Sequence, residues 1–176
     1  TKRLLEKYNL KEEDIGRIEI GTETIIDKAK SVKTTVMDLF PNNRNIEGVD
    51  TINACFGGTA ALFNSLSWLS SPYSNKKYAI VLAGDIAVYE SGSAARPTGG
   101  AGVVALLLGK DAPLVIDTYR CHYMKNAYDF FKPDHNSEYP VVDGHYSNEC
   151  YLEALNNCYD NYTCNFSKFN SDNYDF

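Results

Sequence analysis

Two hydrophobic rhythms alternate along this chain, and together they predict a layered α/β protein. Leu4, Leu5 and Tyr8 sit at helical spacing, with Asn9 placed to end the helix. Arg17–Ile20 reads as a short strand closed by Gly21. Ser31–Phe40 reads as a helix carrying Val32, Val36, Leu39 and Phe40 on one face, stopped by Pro41. A polar loop then leads to a strand around Val49–Asn53. Cys55-Phe56-Gly57-Gly58 reads as a tight turn before an apolar helix over Thr59–Ser70. Tyr78–Ala83 is a continuous apolar run of the kind buried on both faces of a parallel sheet. Gly102–Leu108 and Leu114–Asp117 predict further strands, and Glu149–Tyr159 a last helix. Strands alternating with helices imply βαβ crossovers. From Asp160 the composition turns to Asn, Asp, Tyr, Phe and Ser, so 1–159 reads as the folded segment and 160–176 as a tail or insertion.

Composition narrows the function classes. The 176 residues are 44% apolar, with 13 Tyr and 8 Phe, enough to build a substantial core. The net charge of -6 and the lack of a basic run argue against nucleic acid and anionic membrane surfaces as partners. Mean hydropathy is -0.34, and no apolar stretch approaches the roughly 20 residues of a membrane span. The chain starts at Thr1-Lys2-Arg3 without a signal-type segment and reads as beginning in mid-domain. Five cysteines, an odd number without a CxxC pair, favour a reducing, cytoplasmic setting over a disulfide framework. Zinc would need scattered ligands such as Cys121, His122, Cys150 and Cys158, so no metal site is expected.

Three positions stand out chemically. Cys55 lies between a strand and the start of a helix, where helix N–H groups and dipole favour a thiolate. Gly57 and Gly58 would clear space for a substrate beside the sulfur; the bland alternative is a small core cysteine. Glu23 follows the Arg17–Ile20 strand at its carboxyl end, the position of a general base or of a solvated loop acid. Asp85 reads as ending the Ile80–Gly84 strand, again at a carboxyl end, in a sparse Ala83-Gly-Asp-Ile-Ala87 string. The loop Arg96–Gly102 is glycine-rich but matches no phosphate-binding motif. His122, His135 and His145 read as solvated.

Taken together, these blocks resemble the 3-hydroxy-3-methylglutaryl-CoA synthase family. The resemblance rests on Gly16–Lys28, Asn53–Ala61, Ala83–Tyr89, Arg96–Gly100, Ala127–Asp134 and Ser137–Gly144, and runs from about Leu10 to Tyr159. It implies a thiolase-like layered α/β/α sandwich, here partial and mostly one half. It also implies that acetyl-CoA acylates Cys55, that Glu23 removes a methyl proton, and that the enolate attacks acetoacetyl-CoA. Asp85 and Asp129 fall on supporting aspartates, Thr98 and Ser147 on acyl-CoA contacts, and Ser93 near another. No further cofactor is implied, and the complete enzyme is expected to be a cytoplasmic homodimer of the mevalonate route. Phe56 replaces a usual Tyr, an extra alanine (Ala94 or Ala95) lengthens the loop before Arg96, and the family's downstream Phe-His-Ser-Pro motif does not occur. The alternative is a truncated paralogue serving as a binding or assembly module.

Overall fold

The computed structural model describes residues 1–75, 77–117 and 119–173, with side chains of the last helix described to Phe166. The chain divides into two units, Thr1–Ala87 with Pro97–Pro113, and Val88–Arg96 with Leu114–Phe176.

In the first unit, β1 (Ile15–Thr22), β2 (Asp50–Ile52), β3 (Tyr78–Ala87) and β4 (Gly100–Leu108) form one sheet in the order β2-β1-β3-β4. β1 runs parallel to both β2 and β3, with Thr22 opposite Ile52 and Gly21 opposite Ala83. β4 returns antiparallel to β3, so the sheet is mixed rather than wholly parallel. The cause lies in the connection: no crossover helix separates β3 from β4.

Alternation along the strands supplies the two faces of the sheet. Ile18 and Ile20 of β1 and Ile80 and Leu82 of β3 join Phe40 in a core cluster. Leu5 of α1 (Lys2–Lys7) and Val32 and Val36 of α2 (Val32–Val36) pack on the same cluster. α2 is shorter than the periodicity predicts, because Met37–Leu39 tightens into a 3-10 turn. Its start is fixed by Ser31 Oγ, which accepts from Thr34 N, and by Asp50, whose carboxylate accepts from Val32 N and Lys33 N.

The opposite face is covered by α3 (Gly57–Leu69), whose buried residues are Gly57, Ala61, Ser65, Trp68 and Leu69. Small residues at four-residue spacing let this helix approach the strands closely. A Cβ on Gly21 would lie 2.4 Å from the Gly58 backbone, and one on Gly58 would lie 3.0 Å from Ala83 Cβ. The two glycines therefore open the helix and seat it on the sheet, and the tight turn itself is limited to Ala54–Phe56. Beneath α3, the fully buried Glu19 pairs with Arg17 at 2.5 Å and accepts from Thr51 Oγ1 at 3.4 Å. Arg17 also reaches Glu47, whose carboxylate accepts from Trp68 Nε1.

Ile80 and Val81 are fully buried on the central β3, as the continuous apolar run predicts, whereas Val49 and Ile52 are exposed at the β2 edge. Leu114–Asp117 forms no strand; Leu114, Val115 and Ile116 are exposed, with no strand alongside them among the described residues.

The second unit is organised around α4 (Gly144–Asn173), which begins before Glu149 and continues past Tyr159 into the Asn/Asp/Tyr-rich segment. Asn157, Thr163 and Asn165 turn their side chains back onto helix carbonyls four residues earlier, so these polar groups bond to the helix's own backbone. Tyr146, Cys150, Ala154 and Cys158 form a half-buried stripe at four-residue spacing. Residues 119–124, where inward and outward side chains alternate, lie along this helix. Tyr119 donates to Tyr162 O at 3.1 Å and packs on the Tyr162 and Phe166 rings, while Tyr123 and Lys125 both reach Glu153. A two-stranded ribbon, β5 (Phe130–Phe131) with β6 (Val141–Val142), completes the unit.

Candidate active site

Glu23 and Cys55 stand at the carboxyl ends of two adjacent parallel strands. Glu23 follows the last residue of β1, and Cys55 lies three residues beyond the end of β2. Cys55 occupies a 3-10 turn, Ala54–Phe56, closed by Phe56 N and Gly57 N donating to Asn53 O at 2.9 and 2.7 Å. Ala54 has φ +21°, a conformation few non-glycine residues adopt, so the turn leading to the cysteine is strained. Cys55 is exposed, which removes the reading of a buried core cysteine. It sits immediately ahead of the first turn of α3.

Asp85 lies within β3 rather than at its end, opposite Gly102 of β4. Its Oδ1 gathers the turn that carries Glu23: it accepts from Thr22 Oγ1 at 2.8 Å, Glu23 N at 2.7 Å and Thr24 N at 3.2 Å. Thr24 Oγ1 accepts in turn from Ile86 N at 2.9 Å. The half-buried Glu23 is thus held through its own backbone. Thr22 and Thr24 were not singled out from the sequence; the signal available was their hydroxyls on either side of a candidate base.

The remaining candidates divide by unit. Thr98 is exposed in the short 3-10 turn Arg96–Thr98 ahead of β4. Ser93 is exposed in the second unit, and its hydroxyl accepts from Ala95 N at 3.2 Å. Asp129 and Ser147, also in the second unit, are brought together through Asp143. The Asp143 N–H donates to Asp129 O at 2.9 Å, and its carbonyl accepts from Ser147 N at 2.8 Å. The Asp143 side chain accepts from Tyr146 N, the N-cap of α4. Sequence reading passed over Asp143, although an Asp-Gly pair before a helix is the signal for such a cap. The three histidines are exposed. No group of three or more His, Cys, Asp or Glu able to hold a metal occurs among the described residues.

Ionisation in the second unit follows its contacts. Lys125 and then Tyr123 hold the Glu153 carboxyl below its usual range. Desolvation, followed by the Cys121 thiol, pushes the Tyr119 phenol up to about 12.

A cysteine at a strand–helix junction, next to the strand end that carries a carboxylate, on a sheet covered by helices on both faces, is an arrangement of the thiolase-like fold. The solved structure of MvaS in complex with 3-hydroxy-3-methylglutaryl coenzyme A superposes with TM-score 0.83 at 38% identity, covering 90% of this chain and 38% of that one. The family model for the hydroxymethylglutaryl-coenzyme A synthase N terminal matches residues 1–113, and that for the C terminal matches residues 114–175. The chain belongs to the hydroxymethylglutaryl-CoA synthase family. The match thus extends past Tyr159, through residues that fall on the family's C-terminal model. Hydroxymethylglutaryl-CoA synthase of Saccharomyces cerevisiae is 56% identical over 161 residues, 92% of this chain and 33% of the relative. The mitochondrial synthase of Rattus norvegicus is 57% identical over 162 residues, 90% of this chain and 32% of the relative. The chain spans about a third of the length of these curated relatives.

Proposed function

We propose that this chain carries the nucleophile and the base of a hydroxymethylglutaryl-CoA synthase. The reaction is the condensation of acetyl-CoA with acetoacetyl-CoA and water to 3-hydroxy-3-methylglutaryl-CoA and CoA. The observation that carries the reading is the exposed Cys55 on the strand end next to that of Glu23, whose backbone Asp85 holds. The Cys55 thiolate attacks the acetyl carbonyl and CoA leaves as its thiol, a step suited to a good nucleophile that is also a good leaving group. Glu23 then takes a proton from the acetyl methyl, and the enolate carbon bonds to the ketone carbon of acetoacetyl-CoA as the C=O π pair moves to oxygen, which takes up a proton to become the tertiary hydroxyl. Water cleaves the enzyme thioester and returns Cys55 to its thiol.

In this reading Asp85 and Asp129 take the supporting roles that the family resemblance implies, Thr98 and Ser147 are its acyl-CoA contacts, and Ser93 falls near another. Acyl-CoA substrates alone suffice, without metal or further cofactor. The unpaired outer edge of β2, with Val49 and Ile52 exposed, supports a homodimer. The compartment we assign is the cytoplasm, on the odd cysteine count without a CxxC pair; no described helix is long and apolar enough to cross a membrane. The test is incubation of the protein carrying this sequence with acetyl-labelled acetyl-CoA, followed by peptide mapping. Label is expected on the Cys55 peptide, and its absence there overturns the assignment.

A further inference from the structure

On the face of the sheet away from α3, a separate cavity of about 60 Å³ is lined by Ile18, Lys33, Met37, Phe40, Arg44 and Ile46, together with Asn43. It holds about two waters' share of liquid volume, or one small ion in their place. Its charge is one-sided. Lys33 is only 7% exposed, and its Nζ donates to Ile46 O at 3.1 Å, leaving two of its three N–H donors uncommitted by any described hydrogen bond. Arg44 lies exposed at the rim. Asn43 is committed elsewhere, its Nδ2 donating to Glu12 O and Ile15 O and its Oδ1 accepting from Asn45 N. No carboxylate lines the cavity, and among the described residues none pairs with Lys33 or Arg44. Asp50, the acid at this helix start, is occupied by the Val32 and Lys33 backbone N–H groups.

A buried ammonium without a counter-charge is costly, so a cavity that places one beside a guanidinium favours an anion. The planar fork of Arg44 at the mouth suits two oxygens of a tetrahedral oxyanion, while Lys33 meets it from within as a point charge. We propose that this cavity binds one phosphate-type oxyanion between Lys33 and Arg44. The site is independent of the Cys55 chemistry and lies on the opposite face of the sheet.

Calorimetric titration of the protein with inorganic phosphate at constant ionic strength tests it, with melting temperature as a second readout. One saturable site is expected, with a saturable rise in melting temperature. Arg44→Gln, a surface change, should weaken it by about tenfold or more, the worth of a charge-assisted contact. Lys33→Met should remove it while keeping the apolar stem. A parallel titration with methyl phosphate separates the sources: equal affinity assigns the site to the phosphate of a larger molecule, preference for the inorganic ion to free phosphate. Stabilisation that chloride reproduces at equal ionic strength, or that persists undiminished in Arg44→Gln, overturns the proposal.

Discussion

The carboxylate of Asp85 accepts the backbone N–H of Glu23 at 2.7 Å, across 62 positions of sequence. One oxygen also takes Thr22 Oγ1 and Thr24 N, so a residue of β3 sets the conformation of the turn after β1. Asp85→Ala should therefore release the Glu23–Thr24 backbone, at about 1–3 kcal/mol for lost charge-assisted bonds at a half-buried site. Faster amide hydrogen exchange at Glu23 and Thr24, restored in Asp85→Asn, is the expected outcome. Unchanged protection in Asp85→Ala would separate Asp85 from the positioning of Glu23.

The proposed roles of Cys55 and Glu23 separate in time. Cys55→Ser should abolish acetyl-enzyme formation, because a serine hydroxyl ionises far less readily than a thiol at neutral pH. Glu23→Ala should leave labelling of Cys55 largely intact but slow condensation by about 10²–10⁴-fold. Bound label and product formed, measured on the same preparations, report the two steps. Loss of labelling in Glu23→Ala equal to that in Cys55→Ser would make Glu23 an organiser of the thiolate.

Helix α3 rests on glycine. A Cβ at Gly21 would meet both the Cα and N of Gly58 at 2.4 Å, backbone atoms that no side-chain rotation moves. Gly21→Ala should cost about 1–3 kcal/mol through overpacking, read as a lowered denaturant midpoint. Gly100→Ala, with open space around the added methyl, serves as the tolerated control.

Beneath that helix, Arg17 is the ion-pair partner of the fully buried Glu19. Arg17→Met would strand a buried carboxylate and should destabilise by about 3–5 kcal/mol. The double variant Arg17→Met with Glu19→Gln, which removes both charges, should recover part of that loss in the same unfolding measurement.

Tyr119 ties the 119–124 segment to α4 as a neutral phenol, with its pKa pushed up to about 12 by desolvation and then by the Cys121 thiol. An unfolded tyrosine ionises near about 10. Its contribution is therefore whole below about pH 10 and is lost as pH rises toward about 12. The difference in denaturation midpoint between the wild type and Tyr119→Phe should shrink across that window. A difference that is constant with pH would contradict the link.

The sequence by itself determined the elements with strong local signals. The short Arg17–Ile20 run closed by Gly21 marked β1, the continuous apolar run marked β3, and Ser31 marked the start of α2. It also singled out Cys55 and Glu23, because a cysteine ahead of a helix and a carboxylate after a strand are local patterns. Only the tertiary structure decided the rest. Strand order made β3 central and left β2 at an edge, which no local pattern encodes. The close seating of α3 gave Gly57 and Gly58 a packing role, since van der Waals distances to Thr51, Gly21 and Ala83 exist only once the sheet has formed. Leu114–Asp117 has a strand's composition but no strand beside it among the described residues, so its backbone has no ladder there to join. The Asp85 bridge to Glu23 spans two strands, and the Asp143 link between Asp129 and Ser147 spans a ribbon and a helix. Both depend on non-local register, which folding sets and a reading of neighbouring residues does not.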